Sequence, residues 1–149
     1  MALIQPTAEN KSVSINLDSI VVPISNLTAI NQGSRLKLVA NLATPTTAKA
    51  DNWIGVADFT NPVVSLGDTL TEGKILIAGN VVWFDAPATE TMNFGDIVYP
   101  YENGGNHYSG AVTKVGAGAV VVGTYVGLAA TVCGAGVRVP IKIKPTVVI

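Results

Sequence analysis

The side chains able to do chemistry are few. The chain holds a single histidine, His107, and a single cysteine, Cys133, the smallest set that could pair a thiolate nucleophile with an imidazole base. Their settings favour plainer roles. His107 follows Asn103, Gly104, Gly105 and Asn106 and precedes Tyr108, the surroundings of a solvated turn histidine. Cys133 lies among Ala and Gly and reads as a small hydrophobe. Serine hydrolysis has only His107 as a base, and no Gly-X-Ser-X-Gly elbow is present. One His and one Cys do not make a zinc site. The carboxylates are scattered, apart from loose groupings such as Asp85 with Glu90 and Asp96 with Glu102, and read as solvated loop charges. Gly116, Ala117 and Gly118 start like a dinucleotide fingerprint, but the third glycine is misplaced and no amphipathic helix follows. These residues predict no enzyme, no metal and no cofactor. The aromatics, including Trp53, Trp83, Phe94, Tyr101 and Tyr108, are numerous enough to line a sugar groove, although core packing accounts for most of them more simply. The alternative function is therefore a carbohydrate- or receptor-binding module.

The elements that position these residues read as strands. Val, Ile and Thr are frequent and helical spacing of Glu, Gln, Arg and Leu is not. Ten strands are expected, at 12–17, 20–24, 35–42, 53–58, 74–78, 80–84, 96–101, 107–115, 119–128 and 137–144, with one short helix near 46–51. Ala78, Gly79, Asn80 and the Asn103–Gly104 pair supply hairpin signals. From Arg138 to Lys144, cationic and apolar residues alternate, which predicts a half-exposed strand; Pro140 and Pro145 point to an edge position or to a strand that has left the main sheet. The fold class is all-β, a small β-barrel or β-sandwich-like domain of short antiparallel strands with an extended N-terminal arm. Residues 1–11 form the arm and residues 12–149 a single β domain.

A short motif occurs twice: Trp53, Ile54, Gly55, Val56, Ala57, and later Tyr125, Val126, Gly127, Leu128, Ala129. Each copy follows a glycine-led strand, opened by Gly33 or Gly95, and precedes another, opened by Gly73 or Gly136. This pattern suggests a repeated β unit whose glycines occupy positive φ or a crowded site.

Composition narrows the partners. Of 149 residues, 48% are hydrophobic and only 13% charged, where about 25% charged is usual. A surface with so little charge marks an assembly subunit. The net charge of -1 offers no stripe for a phosphate backbone, so nucleic acid is not expected as a partner. The single cysteine excludes an intrachain disulfide and implies a reducing compartment. The run from Val115 to Val137 lacks charge and has the length of a bilayer span, but its many glycines read as buried strands, so no membrane association is expected. The start of the chain does not read as a signal peptide. Apolar residues of the arm, Leu3, Ile4 and Pro6, and of the tail, Val147, Val148 and Ile149, are the expected interface; the tail is expected to pack on its own barrel or a neighbour.

From Gly33 to Ile143 the order of motifs resembles the tailed-phage capsid decoration proteins, also called cement or head-stabilising proteins. The matching elements are Gly55, Val56, Ala57; the strands after Gly73 and Gly79; Gly95, Asp96, Ile97, Val98, Tyr99; and Gly127, Leu128, Ala129. Leu128 stands where the family usually has valine, and the first thirty residues have no counterpart. The resemblance implies a non-catalytic β-barrel that forms a homotrimer. It also implies synthesis in the host cytoplasm, a place on the virion exterior and binding to the major capsid protein.

Overall fold

The computed structural model describes residues 18–62 and 71–147. The expected strand at 12–17, the arm, and the candidate interface residues Leu3, Ile4, Pro6, Val148 and Ile149 lie outside them. The described chain is all-β, with no helix. Its strands run in order as β1 (Ser19–Pro23), β2 (Arg35–Val39), β3 (Leu42–Pro45), β4 (Gly55–Ala57), β5 (Glu72–Leu76) and β6 (Val81–Asp85). They continue as β7 (Thr91–Met92), β8 (Ile97–Asn103), β9 (Asn106–Thr113), β10 (Gly123–Tyr125), β11 (Thr131–Val132) and β12 (Arg138–Ile143).

Two five-stranded units share one wiring. The first has the order β1-β5-β4-β2-β3, and the second, a closed barrel, has β6-β12-β10-β8-β9 with β9 returning to β6. Closure of the barrel uses a parallel bridge between Asp85 and Ala111, and the first unit has a parallel bridge between Ile24 and Ala43 at the matching ends. Individual hydrogen bonds repeat as well. The Gly33 N–H donates to the Ala57 carbonyl and the Gly95 N–H to the Tyr125 carbonyl, both at 2.9 Å. Gly33 and Gly95 share φ values of 91° and 93°, a left-handed conformation that glycine adopts without penalty.

This ladder moves the register of the repeat. Ile54, Gly55, Val56 and Ala57 correspond to Val122, Gly123, Thr124 and Tyr125, because Gly55 pairs with Leu36 of β2 and Gly123 with Val98 of β8. The motif-based pairing with Tyr125–Ala129 is displaced by four residues. Its second pair of glycines does not correspond either: Gly73 lies within β5, whereas Gly136 precedes β12. A Cβ on Gly55 would run into the Leu76 carbonyl, and one on Gly123 into the Lys142 carbonyl. Close strand approach therefore selects glycine at one position in both units.

Several strand expectations change. The run 35–42 is two strands, because Ala40 and Asn41 adopt positive φ of 51° and 65° and close a two-residue hairpin. Such a turn matches the twist of the flanking strands. Gly104 and Gly105 do the same between β8 and β9. Segment 46–51 is a loop, not a helix: the Asp51 carboxylate accepts from the backbone N–H groups of Thr47 and Ala48, giving the chain a local alternative to helical bonds. Within 119–128 only β10 joins the ladder, and β7 and β11 form a separate two-stranded pair. Gly79 links the two units rather than closing a hairpin, since β5 and β6 do not pair. Pro140 is neither on an edge nor on a strand that has left the sheet: β12 lies between β10 and β6 within the barrel. Its carbonyl accepts from Val126, just past the end of β10. Because a residue's N and C=O point to the same side of an antiparallel strand, the missing donor faces the place where that ladder stops.

Alternation on β12 is as expected, with Val139, Ile141 and Ile143 buried. Two core clusters result. One, in the first unit, includes Ile30, Leu36, Ile54 and Ile75; the other includes Phe84, Met92, Tyr125 and Ile141. Burial of each large side chain contributes about 1.5–3 kcal/mol. Trp53 precedes β4 yet belongs to the second cluster, its indole N–H donating to the Val121 carbonyl at 3.2 Å. The first unit thus supplies part of the second unit's core.

Candidate functional site

A groove of about 770 Å³ runs along the seam between the units. The loop before β2 forms one wall with Asn31, Gln32 and Ser34; strands β6, β8 and β9 and the start of β12 supply Trp83, Asp85, Tyr101, Asn103, Tyr108, Ser109 and Arg138. Strand alternation places the aromatics here. On β6, Val82 and Phe84 turn inward, so Trp83 turns outward and is 54% exposed. Tyr108 is 45% exposed and stands beside Tyr101 with ring centroids 5.7 Å apart. Arg138 donates to the Trp83 carbonyl at 2.8 Å and faces Asp85 at 3.7 Å.

The seam is fixed from beneath by Arg35. Its outward-facing position on β2 is covered by the second unit, leaving the side chain 1% exposed. Its guanidinium donates to the carbonyls of Ala111 and Tyr108, each at 3.2 Å. Burial pushes its pKa down to about 10, and the two carbonyls offset part of the cost of desolvating the cation.

His107 departs from the solvated setting expected of it. Its side chain is only 7% exposed. Nε2 lies 2.9 Å from the Thr46 hydroxyl and Nδ1 lies 3.1 Å from Glu102. Burial lowers its pKa, against an opposing push from Glu102, so the neutral ring is favoured. Since a carboxylate only accepts, Nδ1 carries the proton and donates to Glu102, and Nε2 accepts from Thr46. Hydroxyl, imidazole and carboxylate stand in the order found in covalent hydrolases. Thr46, however, is 6% exposed and does not line the groove, so the hydroxyl faces no substrate space. The chain of bonds ties the loop after β3 to the β8–β9 hairpin.

Other expected groups are dispersed. Cys133 is buried in the second core with its Sγ against the Thr131 carbonyl at 3.7 Å, while His107 is bonded to Thr46 and Glu102, and burial pushes the thiol pKa up. Glu90 accepts from the Thr113 hydroxyl and the Lys114 N–H, and Asp96 faces Lys114 at 3.2 Å. Among the described residues no three His, Cys, Asp or Glu side chains gather as metal ligands. Trp53, Phe84 and Tyr125 are core residues, while Trp83, Phe94 and Tyr108 are exposed. At the tail, the Val147 N–H donates to the Trp53 carbonyl at 3.1 Å and its side chain is 40% exposed. No helix among the described residues is long and apolar enough to cross a membrane.

A second surface emerges from the duplication. The position equivalent to Arg35 is Ile97, as Arg35 pairs with Val56 and Ile97 with Thr124. Arg35 is covered, whereas Ile97 is 44% exposed with Phe94 nearby in sequence at 65%. Sequence reading missed this face because its meaning depends on the corrected register. Comparison with protein families, curated proteins and solved structures finds no match.

Proposed function

We propose that this chain is a structural virion protein that binds the outside of an assembled tailed-phage head as a homotrimer, contacts the major capsid protein and stabilises the shell. The observation that carries the reading is exposed Ile97, at the position where Arg35 of the first unit is covered by the second unit of the same chain, with exposed Phe94 three residues before it. Exposed Leu128 and Val132, at 94% and 72%, add apolar surface outside that face. With only 13% charged residues, such a molecule gains by covering these residues in contacts with its own copies and with a larger surface. Binding to the assembled shell alone would stabilise it by about RT ln(1 + [L]/Kd) per site. No catalytic step enters this role.

Light scattering on the purified protein, followed by mixing with empty tailed-phage heads, tests the proposal. A trimer that co-sediments with heads and raises their disruption temperature supports it. A monomer that leaves the heads unchanged overturns it.

A further inference from the structure

Beyond attachment to a shell, we propose that the seam groove is a binding site for a neutral oligosaccharide. Its volume, about 770 Å³, lies within the usual range for small-ligand sites, about 300–1,000 Å³. Three features select the ligand class. Trp83 and Tyr108 expose aromatic surface along the groove, and an aromatic plate suits the C–H face of a pyranose ring. Asn31, Gln32 and Asn103 line the same space, and each carboxamide both donates and accepts, as vicinal hydroxyls require. The two charged liners, Asp85 and Arg138, face each other at 3.7 Å, so the groove carries no net charge to draw an ionic ligand.

The aromatic wall of the groove is specific to the second unit. The first-unit equivalent of Trp83 is Val21, since Val21 pairs with Lys74 where Trp83 pairs with Pro140. The ladder is common to both units, but the aromatic platform is not. Arg35 and the His107 bonds hold the walls of the groove together from below.

Cellotetraose, maltotetraose and chitotetraose are suitable probes, read by tryptophan fluorescence and calorimetry on the full chain. The chain has two tryptophans and Trp53 is buried, so a change on titration reports Trp83. The expected result is saturable binding of at least one probe. Trp83→Ala and Tyr108→Ala should each weaken it roughly tenfold or more, while Leu27→Ala, at an exposed residue outside the groove, leaves it unchanged. Asn103→Ala tests the polar wall without touching an aromatic. Absence of binding by every probe overturns the proposal, as does binding indifferent to all three groove variants. If no probe binds and Trp83→Ala instead abolishes head binding, the groove is a protein contact. Head binding that fails with sugar binding intact removes the shell role alone.

Discussion

Arg35 on β2 donates from Nη1 to the carbonyl of Ala111 on β9 across 3.2 Å, joining residues 76 positions apart. This bond and its companion to Tyr108 hold one unit against the other through a cation that, among the described residues, has no carboxylate hydrogen bonded to it.

Arg35→Ala should therefore destabilise strongly. It removes two donors from covered carbonyls and opens a cavity at the seam, a combined loss of about 2–4 kcal/mol. Arg35→Met fills more of the space and should lose less. Urea unfolding of the three proteins checks the order.

The His107 bonds predict a pH dependence. Its folded-state pKa is lowered from the ordinary 6.5, chiefly by burial, so below that value the unfolded chain binds the proton more readily. Stability from this group is present above pH 6.5 and is lost as pH falls below it. His107→Gln should remove this contribution, so the difference in urea midpoint between the two proteins changes between about pH 7.5 and about pH 5. A constant difference would refute the assignment.

How far the sequence foretold these features depends on their range. Alternation from Arg138 to Ile143 is local, and it gave the buried face of β12 correctly. The Ala40–Asn41 turn was missed because neither residue is glycine, and the apolar pattern reads straight through it. His107 was misjudged because its partner Thr46 lies 61 residues away, beyond any local signal. The twofold motif was visible, yet its register was wrong: resemblance between side chains drew the alignment to Gly127, while the crowded backbone site is at Gly123.

The corrected register makes its own prediction. Gly55→Ala and Gly123→Ala each force a Cβ toward a carbonyl of the next strand, and each should destabilise by about 1–3 kcal/mol. Gly127→Ala is not their counterpart. Thermal unfolding of Gly55→Ala and Gly123→Ala should give losses of similar size.

Phe94→Lys and Ile97→Lys place a charge on the open face without entering either core. Both proteins should fold with near-native stability and lose self-association. Sedimentation velocity separates this result from one in which assembly persists, which would move the contact elsewhere.

The duplicated ladder also supplies an internal control. Along the strand pairs common to both halves, an outward-facing residue has a twin on the matching strand, so Val21 can report what Trp83 does beyond filling its position. Exchanging the two would transplant a recognition surface while conserving composition, and the half that acquires or forfeits ligand would reveal which trait belongs to the scaffold and which to its decoration.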